Sequence, residues 1–229
     1  MNKDKVGISE DAFTLNLNGE QALLLSQRAV YFKDDRVLLL SDLHIGKSSH
    51  FRREGLAVPA SMYASDLLKL GQLIKQQDPK KVFILGDLFH IGHIDDVDLF
   101  KSWRDVYKYV EMVLVKGNHD RFDAGKSGKL GIEIVDEYVL NGKFLLRHVP
   151  GNLLYDGLLT ISGHIHPAVR IFGKGRQSAM LSCFHLSKQK LVLPAFGEFT
   201  GRHIISPDTG DRIFAVVDDG SAGKVVEIR

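Results

Sequence analysis

The stretch Met112-Val113-Leu114-Val115-Lys116-Gly117-Asn118-His119-Asp120 decides the fold, because an apolar run passes directly into an amide, an imidazole and a carboxylate. A short apolar run bounded by turn residues is typical of a buried β-strand. Polar groups in this position therefore lie at the carboxyl end of a strand. Three further apolar runs end in the same way: 37–40 before Asp42 and His44, 82–85 before Gly86-Asp87, and 158–161 before Gly163-His164-Ile165-His166.

Two helical patterns separate the first three of these strands. From Pro59 to Gln77 apolar residues recur at helical spacing, ending at Asp78-Pro79, and a second stripe runs from Val97 to Val110. Strands alternating with crossover helices predict a parallel sheet whose carboxyl ends share one edge. Outside this core the chain predicts short strands and hairpins, with Asn18-Gly19 as the first turn signal and 212–217 with 224–228 as a closing pair.

Composition bounds the class of protein. At 229 residues, with 44% hydrophobic and 25% charged residues, the chain is expected to form one domain over 1–229. A net charge of +2 is too small to indicate nucleic-acid binding by itself. Cys183 is the single cysteine, so no intrachain disulfide forms, and its apolar neighbours favour a buried thiol. With no signal sequence and no run of about 18 apolar residues, we expect a cytoplasmic protein that does not enter a membrane.

The polar residues at the strand ends are metal-ligand types. Any one of the motifs alone is as easily a turn, a helix cap or a satisfied histidine. Together, at successive strand exits, they favour a site for two ions, because the donors are too many for one tetrahedral zinc and include no sulfur. Manganese or iron suits this set, and zinc remains an alternative. The donors are Asp42, His44, Asp87, Asn118, His148, His164 and His166.

These motifs resemble the signature of the calcineurin-like metallophosphoesterases. The resemblance spans residues 42 to 166. It implies an α/β (α+β) four-layer fold, in which two mixed β-sheets pack as a sandwich flanked by helices. The motifs that carry it are Asp42-Leu43-His44, Gly86-Asp87, Gly117-Asn118-His119-Asp120, His148 and Gly163-His164-Ile165-His166.

The resemblance also implies roles for individual residues. Asp87 would bridge the two metals, His119 would donate a proton to the leaving oxygen or stabilise its charge, and Asp120 would orient the His119 ring. Two cations about 3.5 to 4 Å apart lower the pKa of a shared water, so that hydroxide attacks the phosphoester without a protein nucleophile. One metal would be held by Asp42, His44, Asp87 and His166, and the other by Asp87, Asn118, His148 and His164.

A narrower resemblance extends over nearly the whole chain. It is to the bacterial ligase-associated DNA damage response metallophosphoesterases, which implies a metal-dependent phosphodiesterase or endonuclease acting on DNA in repair. The implied functional partners are an ATP-dependent DNA ligase, a helicase and a metallo-β-lactamase-type exonuclease. Val149 departs from the acidic residue common after the metal histidine. The segments that carry the resemblance are 46–47, 51–59, 86–90, 166–167, 173–176, 182–184 and 193–201.

Basic residues near the first motif are candidates to bind substrate. Lys47, Arg52 and Arg53 follow Asp42 and His44 closely, and Arg176 lies in a second basic segment. They would contact a phosphate backbone beside Asn118, although ordinary loop charge explains them equally well. His90 and His93 could contact substrate or simply pack, and the segment 194–201 could form a wall of the pocket or cover a sheet edge.

Three functions remain open from the sequence. The first is a phosphodiesterase acting on DNA. The second is an enzyme for a small nucleotide or nucleotide-lipid phosphoester, although no apolar membrane-facing helix is evident. The third is a non-enzymatic scaffold, which the complete ligand set and His119 disfavour. The sequence predicts no oligomeric state.

Overall fold

Two mixed β-sheets packed face to face form the body of the protein. The computed structural model describes residues 12–55, 64–90, 93–120, 130–153, 155–218 and 223–228. The first sheet follows chain order, antiparallel over its first four strands and parallel over its last four. Its strands are β1 (Phe13–Leu17), β2 (Glu20–Leu25), β3 (Ala29–Phe32), β4 (Val37–Leu40), β5 (Lys81–Leu85), β6 (Glu111–Val115) and β7 (Glu133–Val135).

The second sheet is built from the later part of the chain. It mixes parallel pairs, such as β9 with β10 and β10 with β13, with antiparallel hairpins. The strand order is β14-β11-β12-β13-β10-β9-β8, and β15 also pairs with β12 and β16. The strands are β8 (Tyr138–Leu140), β9 (Phe144–Leu146), β10 (Leu159–Ser162), β11 (Pro167–Phe172), β12 (Ser178–Ser187), β13 (Lys190–Val192), β14 (His203–Ile204), β15 (Arg212–Val217) and β16 (Lys224–Ile228).

The described helices between the strands of the first sheet include α1 (Lys47–Arg53), α2 (Ser65–Gln77) and α3 (Ile94–Val106). The predicted end of α2 is confirmed, since Asp78 adopts a left-handed conformation with φ 48° before Pro79. The predicted start at Pro59 lies outside the described residues. Helix α3 ends four residues earlier than the apolar stripe suggested. None of the described helices combines the length and the apolar character that a membrane span requires.

The alternation of side chains along the central strands explains why each strand contributes to two separate hydrophobic cores. In β4 and β5, Leu38 and Ile84 contact the helix side, whereas Leu39 and Phe83 join the core between the two sheets. Successive side chains of a strand point to opposite faces, so a continuously apolar run indicates burial on both. The core between the sheets draws residues from Leu15 to Val225.

The predicted fold class is confirmed, since two mixed β-sheets pack face to face and helices flank them. Helices α2 and α3 both contribute to the core on the outer face of the first sheet. Sequence patterning also missed α1 and β12, because both are rich in serine, histidine or basic residues and lack a clear apolar period.

Candidate metal centre

The carboxyl ends of the central strands bring the predicted donors together through strained turns. Five of the donors adopt left-handed backbone conformations, which non-glycine residues rarely do. Such strain persists only where surrounding contacts impose it, and it is concentrated at functional sites. The five are Asp42 (φ 54°), His44 (φ 47°), Asp87 (φ 52°), His164 (φ 69°) and His166 (φ 53°).

Backbone hydrogen bonds hold the first two turns side by side beyond the end of the sheet. The N–H of Asp42 donates to the carbonyl of Gly86 at 3.1 Å, and the N–H of His44 donates to the carbonyl of Asp87 at 2.9 Å. A bridge between Ile45 and Phe89 continues this pairing. The parallel register of β4 and β5 thus extends into the turns, which fixes the two carboxylates next to each other.

One ligand group consists of Asp42, His44 and His166. Their ligand atoms all lie within 4.8 Å of one another. Asp42 Oδ1 and His166 Nε2 are 3.1 Å apart, yet neither atom makes a hydrogen bond among the described residues, nor does His44 Nε2. Buried polar atoms left without partners cost about 1–3 kcal/mol each. Lone pairs that converge without bonding one another fit a cation at their common point.

The second group consists of Asp87, His148 and His164, again within 4.8 Å. His148 Nδ1 lies 2.9 Å from the carbonyl oxygen of Leu85 and donates its proton there, which leaves Nε2 free as a ligand. That Nε2 is 3.1 Å from Nδ1 of His164. The second group thus presents two imidazole nitrogens and a carboxylate toward one position.

Asp87 connects the two groups through a single oxygen. Its Oδ2 lies 3.7 Å from Nε2 of His44 and 3.5 Å from Nε2 of His148. The other oxygen, Oδ1, accepts a hydrogen bond of 2.9 Å from the N–H of His119. This bond fixes the carboxylate and leaves Oδ2 facing both groups, as a bridging ligand requires.

Glycines make room for the ligands. A Cβ atom on Gly86, whose φ is +83°, would lie 2.1 Å from Nδ1 of His148, and one on Gly163 would lie 2.4 Å from Oδ2 of Asp42. The Gly-Asp and Gly-His motifs of the sequence therefore have a steric cause. A ligand side chain packs directly against each of these two glycines, in the space that a Cβ atom would occupy.

Burial and charge set the protonation of the donors. Burial lowers the pKa of His44 to about 4, so its ring is neutral near pH 7 and can act as a ligand. Burial and the neighbouring His148 lower the pKa of His164. Burial would raise the pKa of Asp87, but the nearby His148 ring and the hydrogen bond from the His119 N–H hold it well below its usual range. Ionised Asp87 and neutral imidazoles are the forms that bind divalent cations.

Asp120 has contacts different from those the resemblance implied. It is buried, and its carboxylate accepts hydrogen bonds from the N–H groups of Asp87 (2.8 Å), Gly117 (2.9 Å) and Leu88 (3.0 Å). Its described hydrogen bonds thus hold two ligand turns together, and none of them reaches the His119 ring. The orienting role of Asp120 therefore stays a prediction, beside the observed hydrogen bonds that tie the two turns together.

His119 is exposed at the edge of the two ligand groups. Its ring lies 5.4 Å from that of His44 in an edge-on arrangement and 5.8 Å from that of His90. No role for His90 was evident from the sequence pattern, but its ring completes a row of imidazoles from His50 through His90 to His119. Only the paired turns, which sequence spacing does not reveal, bring these rings together.

The remaining residues predicted to bind metal or substrate are Asn118, Lys47 and three arginines. Asn118 is exposed beside His119. Lys47 is half-buried at the start of α1; burial lowers its pKa, whereas the nearby carboxylates of Asp42 and Asp87 raise it. The backbones of Arg52, Arg53 and Arg176 are described, at the end of α1 and in a 3₁₀ turn, but their side chains lie outside the description.

The segment 194–201 does form a wall of the site. Its Phe196 and Gly197 donate backbone hydrogen bonds to the carbonyls of Ser41 and Asp42, at 2.8 and 3.1 Å. Phe199 then lines a cleft shared with residues 43–48. Lys69, whose Nζ donates to the Phe196 carbonyl at 2.7 Å, anchors this wall to α2.

Comparisons with known proteins agree with this geometry. A Pseudomonas putida nuclease, MPE, matches with a TM-score of 0.77 and 31% identity over 95% of this chain and 100% of that chain. An E. coli phosphoesterase (TM-score 0.44, 13% identity, 84% and 97% of the two chains) and an Aquifex aeolicus protein of unknown function (0.41, 21%, 57% and 78%) are too distant to inform the site. No match was found among curated proteins.

The family follows from the sequence match and the site together. The model of the calcineurin-like phosphoesterase family matches residues 35–179, more than half of the chain. Enzymes of this family are metal-dependent hydrolases of phosphoesters, and both candidate ligand groups lie within the matched residues. This chain belongs to the calcineurin-like phosphoesterase family.

Proposed function

We propose that the protein is a two-metal phosphodiesterase that cleaves DNA strands, acting in repair alongside an ATP-dependent DNA ligase. The observation that carries the proposal is the position of Asp87 Oδ2, within 3.7 Å of a ligand nitrogen in each group. Two cations sharing one carboxylate form the clamp that phosphodiester hydrolysis uses. The choice of DNA is supported by the 31% identity to a nuclease over 95% of this chain.

Each donor has a role in this proposal. Divalent cations held here, of which manganese suits the donors best and iron or zinc are alternatives, would supply Lewis-acid chemistry to a water and to the phosphate. Asp87 joins the two positions, and Asn118 adds an amide oxygen to the second. The first position takes Asp42, His44, Asp87 and His166, and the second takes Asp87, Asn118, His148 and His164.

His119 is assigned to the leaving group. Its ring is exposed and lies against His44, beside the ligand groups but outside both. From there it can donate a ring proton to the departing oxygen, while the hydrogen bond from its own N–H steadies Asp87. Lys47 contributes positive charge near both carboxylates and would attract the phosphate backbone. Arg52, Arg53 and Arg176 are proposed to extend this attraction.

The decisive experiment compares substrates and variants in manganese. An aryl phosphodiester, an aryl phosphomonoester and single-stranded or nicked DNA are offered to the full chain. Hydrolysis of the diester and of DNA supports the proposal, whereas hydrolysis of the monoester alone would indicate an enzyme for a small phosphoester. A nicked DNA whose ends an ATP-dependent ligase cannot join should be offered as well. If treatment with this protein makes the nick ligatable, the role in repair is supported.

Two variants separate metal binding from proton transfer. Asp87→Asn should lose bound manganese and activity together, since it removes the shared charge. His119→Ala should keep manganese, hydrolyse an aryl diester with a good leaving group nearly normally, and cleave DNA, whose leaving group is poor, about 10²-fold or more slowly. Equal loss of metal in both variants would overturn this division of roles.

Two further parts of the proposal concern the whole molecule. One domain spanning 1–229 is supported by the core between the sheets, which takes residues from Leu15 to Val225. A cytoplasmic location is supported by the composition and by the buried Cys183 thiol, which needs no oxidising compartment. Limited proteolysis that yields one resistant fragment would test the first, and cell fractionation would test the second.

A further inference from the structure

A β-hairpin projects from the body of the second sheet next to the metal centre. It comprises residues 170–180, the distal halves of β11 and β12, and is called the arm below. Every described side chain from Arg170 to Met180 is exposed, on both faces of the ribbon. A two-stranded ribbon that buries neither face contributes nothing to the hydrophobic core. Its surface is therefore available for something other than folding.

The strand that leads into the arm begins at the metal centre. His166, a ligand of the first group, immediately precedes Pro167, the first residue of β11. The carbonyl of His166 also accepts a hydrogen bond of 2.9 Å from the N–H of His203, which starts β14. Phe172 lies five residues beyond Pro167, about 17 Å along the strand at 3.3 Å per residue. A polymer held at the metal centre can reach it, but a small phosphoester cannot.

One face of the arm combines apolar and basic side chains. In the antiparallel register Arg170 pairs with Met180 and Phe172 with Ser178, while Ala168 pairs with Ile204 of β14. Directly paired residues share a face, as do alternate residues of one strand. The exposed fractions are 79% for Phe172, 41% for Ile204 and 38% for Met180, with Arg170 exposed among them.

The charge of the segment indicates which class of molecule the arm binds. Residues 167–187 contain Arg170, Lys174 and Arg176 and no aspartate or glutamate. An exposed aromatic ring among cations, without carboxylates, matches a single-stranded nucleic acid, whose bases stack on aromatic rings while its phosphates attract lysine and arginine. A protein partner would gain from the apolar side chains but has no reason to prefer a segment free of acidic residues.

We propose that the arm binds a single-stranded stretch of the substrate next to the scissile phosphate. Phe172 stacks on a base, and Arg170 and Lys174 contact phosphates on either side of it. This inference rests on the proposed function of the metal centre, and it adds a binding site that defines the preferred DNA structure. Duplex DNA, whose bases are already stacked, would gain only the phosphate contacts.

The test uses the full chain and three substitutions at one position. Phe172→Ala should raise the KM for single-stranded DNA, and the Kd for a labelled oligothymidine, at least fivefold, because base stacking on an aromatic ring contributes about 1–3 kcal/mol. Phe172→Tyr should restore both values, and Phe172→Leu should not. Tyr109→Ala is the matched control, since Tyr109 is 65% exposed but precedes β6, at the opposite edge of the sheet from His119.

Two readouts separate the arm from the metal centre. Hydrolysis of an aryl phosphodiester should stay within twofold of the wild-type rate in all four variants, because that substrate does not reach the arm. The slope of log Kd against log salt should fall by about 1.4 when Arg170 and Lys174 are both replaced by alanine, at about 0.7 for each phosphate contact on a single strand.

The outcomes are distinguishable. If the wild type cleaves and binds single-stranded DNA but Phe172→Ala does so equally well, the arm proposal is overturned and the proposed function stands. If the wild type binds DNA through Phe172 without cleaving it, the arm proposal stands and the proposed function fails. If the wild type binds no single-stranded DNA, or if Phe172→Ala changes only the oligomeric state measured by light scattering, the arm proposal is overturned.

Discussion

Replacement of Gly86 by alanine is predicted to disable one half of the metal centre without unfolding the protein. The added Cβ would lie 2.1 Å from Nδ1 of His148 and 2.4 Å from the adjacent ring carbon. An ordinary contact begins near 3.4 Å, so the ring must retreat by about 1.3 Å. That movement breaks the 2.9 Å hydrogen bond to the Leu85 carbonyl and withdraws Nε2 from Asp87.

The expected loss of metal affinity and activity follows from the broken hydrogen bond and from the displacement of Nε2. Removing the partner that orients a ligand histidine typically costs about 10- to 100-fold in metal affinity or activity. A misplacement of about 1 Å in a catalytic arrangement costs about 10²-fold in rate. We therefore expect Gly86→Ala to bind the second manganese at least tenfold more weakly and to lower kcat/KM for an aryl phosphodiester by about 10²-fold at limiting metal.

Gly19 provides the control for backbone strain. Its φ is +85°, against +83° for Gly86, and a Cβ there meets nothing within 4 Å. Both alanine variants should lose about 1–2 kcal/mol of unfolding free energy in urea from the backbone conformation, and Gly86→Ala should lose about 1–3 kcal/mol more for the broken hydrogen bond of His148. Only Gly86→Ala should lose manganese, measured by titration calorimetry. Wild-type metal affinity and kcat/KM in Gly86→Ala would refute the steric reasoning.

Three further outcomes are expected. Asp120→Asn should lower the unfolding free energy in urea by about 2–3 kcal/mol, because an amide cannot accept all three N–H groups; unchanged stability with a slower turnover would instead support the orienting role. Cys183, fully buried and with its pKa raised by burial to about 12, should resist iodoacetamide at pH 8 until denaturant is added, as mass spectrometry would show. Burial lowers the pKa of Lys69 from 10.5 to about 8, so the folded state releases this proton before the unfolded state does. The unfolding free energy should therefore rise between pH 8 and 10.5 relative to Lys69→Met, by up to about 3 kcal/mol, and parallel pH profiles of the two proteins would contradict this.

The central sheet was accessible from the sequence because its strands carry strong local signals. The runs 37–40, 82–85 and 112–115 are apolar on both faces and end in turn residues, and the structure confirms them as the adjacent parallel strands β4, β5 and β6. The hairpin turns at Asn18-Gly19 and Asn141-Gly142 are confirmed for the same reason, since both have the positive φ values that these residues tolerate. Local chemistry dictated these elements.

Other elements depend on contacts distant in sequence. Strand β12 carries serine and histidine among its apolar residues and is held by pairing with β11, β13 and β15. Helix α1 is a single short segment without an apolar stripe. No periodicity within either segment identifies it, because the partners that stabilise each lie elsewhere in the chain.

The motif 117–120 separates what the local sequence determines from what depends on the tertiary structure. By itself the sequence determined that an amide, an imidazole and a carboxylate follow a buried strand, since apolar patterning and turn chemistry are local. Only the tertiary structure decided what each does: Asp120 accepts N–H groups from the neighbouring turn, the N–H of His119 fixes Asp87, and the His119 ring stays exposed. The physical reason is that hydrogen-bond partners 32 and 33 residues away are brought into reach by the register of parallel strands, which no local pattern encodes.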